Sequence, residues 1–234
     1  MNREIDVLPH IIYEVIAGSH SYGLNGPESD EDIRATFVPH PAHVLGLNQY
    51  RHQKGEGDEV YVPLTRLVQH LAEGSTTWVE ILFVEPRFVR VQNTLFTPFL
   101  ENRELFLTKK LVSKTCGMVK GLAQQAEKLA DKSLEDEKIV RKKLMHAVRA
   151  GRMVGEALEQ GRLNVYRMED REHLLAIRNG TTSLQGVQEE CQSVLQRLIE
   201  GMTVTSLPDN PDEVTIDALT VHAVTEYWKF QRWI

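Results

Sequence analysis

Cysteine is nearly absent from this 234-residue chain. The two present, Cys116 and Cys191, are far apart and have no metal-binding spacing. They read as reduced thiols of a cytosolic protein, with a buried structural role. No apolar run is long enough to cross a bilayer. Residues 1–6 lack the basic-then-apolar layout of a secretory signal. The expected location is therefore cytoplasmic, with no membrane partner. Internal repeats and low-complexity segments are also missing. There is no excess of positive charge: 27 Lys and Arg against 33 Asp and Glu give a formal net charge of −6. That balance argues against a protein that coats nucleic acid, yet leaves room for a local basic groove. Carboxylates awaiting metal ions would supply part of the negative excess. The length is enough for one large or two small domains.

What is present is concentrated near the start. Ile11 to Ala17 is an apolar run that predicts a buried strand. Gly18-Ser19-His20-Ser21-Tyr22-Gly23 ends it, and Leu24 to Ser29 is turn chemistry. Asp32 to Val38 predicts a second strand, stopped by Pro39 and Pro41. His40 to Gly57 reads as an irregular excursion, and Asp58 to Val62 as a third strand. Leu64, Leu67, Val68 and Leu71 fall at helical spacing, ended by Gly74. Trp78 to Phe83 predicts a short helix capped by Thr77. Beyond Leu100 helical periods dominate: Lys109 to Lys132, Leu134 to Gln160, Arg171 to Ile177, Ser183 to Met202 and Pro211 to Phe230. The expected layout is a small α/β domain over residues 1–98 and a helical domain over 99–234, an α+β chain.

Gly18 lets a phosphate approach the backbone closely, and Ser19 offers an N–H and a hydroxyl. On a strand, Asp30 and Asp32 would share one face while Glu31 turns away. Two close carboxylates repel unless a cation lies between them. Divalent magnesium suits oxygen ligands and substrate phosphates. Taken alone, Gly-Ser is an ordinary turn and Asp-x-Asp a solvated acidic loop. An EF-hand loop lacks its further ligand and central glycine.

The order Gly18-Ser19, Pro27, Ser29-Asp30, Asp32, Ile33 behind an apolar strand resembles the DNA polymerase β-like nucleotidyltransferase superfamily. The form Gly-Ser-His-Ser-Tyr-Gly with Ser-Asp-Glu-Asp-Ile-Arg is similar to its RlaP-like branch, associated with RNA ligases and RNA repair. The segments Asp58 to Phe83, Lys142 to Arg149 and Asp170 to Gly180 also resemble that branch. The resemblance implies a mixed-sheet catalytic domain followed by an all-helical one. It implies two Mg²⁺ ions, with Mn²⁺ as a substitute, on Asp30, Asp32 and a third carboxylate. The reaction would move a nucleoside monophosphate from a nucleoside triphosphate, ATP among them, to a hydroxyl acceptor and release pyrophosphate. RNA is the expected acceptor.

For the third carboxylate Asp58 fits the branch, and Glu59 competes because a one-residue shift reverses its face. His20 stands where many superfamily members carry Arg, and reads either as a pH-dependent phosphate contact or as a loop residue. Lys142, His146 and Arg149 recur at i, i+4 and i+7 on a face apart from the apolar Val140, Leu144 and Val148. They are either a solvated charged surface or a triphosphate- or acceptor-binding face, and the resemblance favours the latter. Together with Gly18, Ser19 and Ser29 they make up the nucleotide-binding set.

His40, His43 and His52 read as loop residues rather than zinc ligands. Trp78 and Phe83 read as core, and Trp228 and Trp233 as anchors of the last helix. Glu80, inside an apolar helix, is either a buried partner for a cation or a substrate contact. Two other functions keep the same motif: a nucleotide- or RNA-binding module that does not catalyse, and a nucleotidyltransferase that modifies protein.

Overall fold

The computed structural model describes residues 7–47, 49–50, 52–55, 57–129 and 134–234. The chain begins with strand β1 (Ile11–Ala17), the single turn α1 (Gly18–Ser21), strand β2 (Asp32–Phe37) and the short helix α2 (Ala42–Leu45). Strands β3 (Gln53–Lys54) and β4 (Val60–Pro63) follow, then helices α3 (Leu64–Ala72) and α4 (Thr76–Val79), strand β5 (Val89–Gln92) and helix α5 (Thr97–Glu101). The remainder is helical: α6 (Lys109–Leu129), α7 (Leu134–Gln160), α8 (Arg171–Asn179), α9 (Leu184–Val204) and α10 (Glu213–Phe230).

The fold is α+β, with a mixed sheet and a helical C-terminal region. The strand order is β3-β4-β2-β1-β5. β1 runs antiparallel to β2 and β5, while β2 and β4 are parallel. The parallel pair needs a crossover, which the excursion after Val38 supplies. That excursion is less irregular than its sequence suggests, because α2 and β3 lie within it.

Side chains alternate across the sheet. Tyr13, Val15 and Ala17 on β1 and Val62 on β4 point into the large core shared with the helices. Ala35, Phe37 and Tyr61 point the other way and form a small cluster with Val7. Above the sheet, α6, α7 and α9 pack against one another, and α8 packs on α7. Leu64, Leu67, Val68 and Leu71 of α3 are buried at the spacing the sequence gives them. The apolar core runs without a break from Ile12 through α7 to Trp228. The last helix is tied to the sheet by the Trp228 indole N–H, which donates to the Pro39 carbonyl at 2.9 Å. Trp233 packs on His10 and His40. Both tryptophans thus anchor α10.

Three local readings need correction. Trp78 to Phe83 is not one helix: α4 ends at Val79 and Glu80–Phe83 is a 3-10 turn. Ser75, not Thr77, occupies the N-cap position, without a side-chain cap bond. β5 escaped the sequence reading because it is a four-residue edge strand, largely exposed, with no buried stripe to mark it. The predicted end of the first long helix at Lys132 lies outside the described residues; α6 is described to Leu129.

Candidate active site

The β1–β2 register places Ala17 opposite Asp32, so the turn that leaves β1 lies against the first residue of β2. Gly18 has φ +62°, and a Cβ built there would fall on the Asp32 carboxylate. Glycine is therefore required twice, for the left-handed backbone and for the close approach. The β2–β4 register pairs Arg34 with Val60. Carried back two residues, the same offset brings Asp32 to Asp58. The Arg34 guanidinium braces this end by donating to the Asp58 carbonyl at 2.6 Å.

Asp30 lies before β2, in the loop, so strand alternation does not set its direction. It nonetheless lines the same cavity as Asp32 and Asp58. Glu31 turns away to pair with Arg90 on β5. Glu59 is on the opposite side of the sheet from Asp58, where its carboxylate accepts from the Tyr61 hydroxyl at 2.9 Å. The cavity holds about 1110 Å³. The three aspartates line it beside Gly18, Ser19 and Ser29, and the basic Lys138, Lys142, Lys143 and Arg178 line it as well.

Burial raises the Asp32 pKa, Arg34 opposes that effect, and the negative charge of Asp58 adds to it. A cation between Asp32 and Asp58 would relieve both burial and repulsion. The donor set consists of carboxylate oxygens alone, which suits a hard divalent ion. Among the described residues, however, no group of three or more His, Cys, Asp or Glu side chains is arranged to hold a metal ion. The aspartates share a cavity without closing on one point. Magnesium commonly takes one or two carboxylates plus substrate phosphates, so two of the three suffice for the protein's share.

The floor is set by residues remote in sequence. Arg149 of α7 is 4 % exposed and its Nη1 donates to Glu80 at 3.1 Å. The Tyr22 hydroxyl donates to the other Glu80 oxygen. The guanidinium stacks on the Tyr22 ring, 3.6 Å from its centre. Burial would lower the Arg149 pKa, but Glu80 and Tyr22 reverse this and hold the group charged. Glu80 is therefore a buried partner for a cation. The Arg149 Nε is buried without a hydrogen-bond partner, an arrangement that costs about 1–3 kcal/mol.

His146, one turn before Arg149, lines the cavity and faces the Tyr22 ring edge-on. Burial first, then the charges of Arg149 and Lys142, push its pKa from 6.5 down to about 3. Burial therefore favours its neutral form. Lys142 also lines the cavity, and its charge acts on Asp32. His20 does not line it. Its Nε2 lies 3.2 Å from the Ser29 carbonyl, bracing the loop. Ser29 Oγ in turn accepts from the Gly26 N–H at 2.8 Å.

The turn after α1 is clasped from α8. Arg171 donates to the Gly23 carbonyl at 2.7 Å and Arg178 to the Leu24 carbonyl at 2.8 Å. The Arg167 amide donates to the Tyr22 carbonyl at 2.9 Å. Arg167 itself is buried between Glu156 and Asp170. Sequence reasoning did not single out these arginines, or Arg178 as a cavity residue. Their segment was legible only as part of a resemblance.

His40 Nδ1 accepts from the Ala42 N–H, and Trp78 stacks on His70. Cys191 is buried and its thiol is pushed up to about 12 by burial. Among the described residues no helix is long and apolar enough to cross a membrane.

The family profile of the RNA repair pathway DNA polymerase beta family (RlaP) matches residues 1–222. The chain belongs to that family. No curated protein matches it.

Proposed function

From that membership, we propose that this protein transfers a nucleoside monophosphate from a nucleoside triphosphate to a hydroxyl of RNA and releases pyrophosphate. The observation that carries the reading is the shared cavity, in which Asp30, Asp32 and Asp58 stand beside the Gly18-Ser19 turn. In this reading the triphosphate rests on the backbone of that turn, with Ser19 and Ser29 at its edge. Lys142 and Arg178 face it from the helices. Among the described residues Arg178 bonds a neutral carbonyl and pairs with no carboxylate, so it retains attraction for phosphate.

Asp30, Asp32 and Asp58 would hold Mg²⁺, or Mn²⁺ in its place, together with phosphate oxygens. Such ions neutralise the triphosphate and activate the acceptor hydroxyl in an in-line displacement. The α8 clasp and the His20–Ser29 contact keep the turn in place before substrate arrives, which lowers the cost of orientation. Arg34 fixes the Asp58 backbone and so the spacing of the carboxylates.

A second reading, nucleotide binding without catalysis, is favoured by one observation: no three acidic groups converge on a metal position among the described residues. The two separate in one experiment. Purified protein, Mg²⁺, labelled nucleoside triphosphates and RNA oligonucleotides with free hydroxyl ends should yield labelled RNA and pyrophosphate. Transfer that survives combined Asp30→Ala and Asp32→Ala would contradict the enzymatic reading. Nucleotide binding with no pyrophosphate release would establish the second.

A further inference from the structure

The buried guanidinium of Arg149 has a job that phosphate binding does not explain. Its hydrogen bonds within the protein all run through Nη1, to Glu80 and to the Met153 sulfur. Nε is buried and unpartnered, and the bonds to described residues leave Nη2 unused. Nε and Nη2 together form one edge of the guanidinium, two parallel donors in a plane. That plane is held flat on the Tyr22 ring at the cavity floor.

Two features argue against a phosphate there. Glu80 already cancels the charge of Arg149 at 3.1 Å, so a polyanion gains little attraction and meets a carboxylate. Lys142 and Arg178, which among the described residues form no salt bridge, line the same cavity, and the Lys142 charge acts on Asp32, so they suit a triphosphate better. The cavity lining also includes the apolar Leu24, Met118, Leu122 and Met145. A flat, uncharged ring can be sandwiched there, while a phosphate would be desolvated at a cost.

We propose that the free edge of Arg149 reads the nucleobase of the substrate, and selects bases that present two adjacent acceptors in one plane. Guanine does so through O6 and N7, and cytosine through O2 and N3. Adenine and uracil have no such adjacent pair, since the N6 donor separates N1 from N7 in adenine and the N3 donor separates O2 from O4 in uracil, so each satisfies only half of the edge. Tyr22 and Glu80 are positioning residues in this arrangement, one setting the plane and the other the rotation of the guanidinium. The inference rests on the nucleotide-binding reading of the cavity.

The test is a calorimetric titration of the whole chain with Mg²⁺ and, in turn, GTP, CTP, ATP, UTP, 7-deaza-GTP and inorganic tripolyphosphate. GTP, CTP or both should bind about tenfold more tightly than ATP and UTP. If GTP is preferred, 7-deaza-GTP, which lacks N7, should lose that advantage. Arg149→Lys should erase the preference while tripolyphosphate affinity stays the same. Equal affinity for all four nucleotides would overturn the proposal, as would a loss of tripolyphosphate binding in Arg149→Lys that matches the loss for GTP. Both results leave the cavity as a nucleotide site. A wild-type chain that binds none of these ligands would remove the nucleotide reading itself and the base-reading role with it.

Discussion

Arg149 lies flat over Tyr22, its guanidinium carbon 3.6 Å from the ring centre, and both share the Glu80 carboxylate. Tyr22 closes the turn that follows β1, Glu80 sits in the 3-10 turn after α4, and Arg149 is on α7. Three elements are thus joined at one buried charge pair. Removing one member of such a pair leaves the other uncompensated, which costs more than the intact pair contributes. Glu80→Ala should lower unfolding free energy by about 3 kcal/mol. Glu80→Leu combined with Arg149→Met should cost clearly less than the sum of the single changes. Urea denaturation of the four proteins in this cycle measures the coupling.

Gly18 offers a sharper perturbation of the site. Alanine at φ +62° carries a steric penalty of about 1 kcal/mol, and its methyl would displace the Asp32 carboxylate. Gly18→Ala is therefore expected to fold with a small loss of stability. Its transfer rate should fall by about a hundredfold, because a shift of an ångström in a reacting group has that effect. Parallel denaturation and pyrophosphate-release assays check both halves. Full activity in a folded Gly18→Ala protein would mean that the Gly18–Asp32 approach has no part in the reaction.

The strand-turn-strand unit was legible in the sequence because its contacts are local. Apolar Ile11 to Ala17, Gly18-Ser19 and Asp32 lie close together in sequence, and the structure pairs Ala17 with Asp32. Asp58 required the parallel register between β2 and β4, which a sequence does not print. Both Asp58 and Glu59 precede β4, and what separates them is that Asp58 lines the cavity while Glu59 accepts from Tyr61. Asp30 joined the cavity for a reason the sequence did not supply, since the strand on which its direction was argued begins at Asp32.

The cavity floor was not legible. Glu80 and Arg149 are 69 residues apart, and Arg178 is 154 residues from the carbonyl it holds. The signal that did exist was a carboxylate inside the apolar run Trp78 to Phe83, which left a buried cation partner and a substrate contact as alternatives. His146 shows the same gap. Its spacing with Lys142 and Arg149 suggested a cationic face, but burial makes it neutral.

That neutrality has a pH consequence. His146 takes up a proton in the folded chain only near pH 3, whereas in the unfolded chain it does so near its ordinary 6.5. Between those values the unfolded state binds more protons, so stability is full above about pH 6.5 and declines as pH falls. A partly exposed group moderates the effect, and about 1 kcal/mol is expected between pH 6.5 and 5. His146→Asn should flatten that decline. Urea midpoints of both proteins at pH 7, 6 and 5 measure it, and parallel slopes would show that His146 is not the group responsible.

The most direct measurement is a Mn²⁺ titration read by water-proton relaxation, with a nonhydrolysable nucleoside triphosphate present. If Asp32 and Asp58 face a common cation beside the Gly18-Ser19 turn, Asp32→Asn and Asp58→Asn should each weaken Mn²⁺ binding by at least about tenfold, and Glu59→Gln should leave it unchanged. Wild-type affinity in both aspartate variants, or a loss in Glu59→Gln equal to that in Asp58→Asn, would contradict a metal-dependent nucleotidyltransferase site at this end of the sheet.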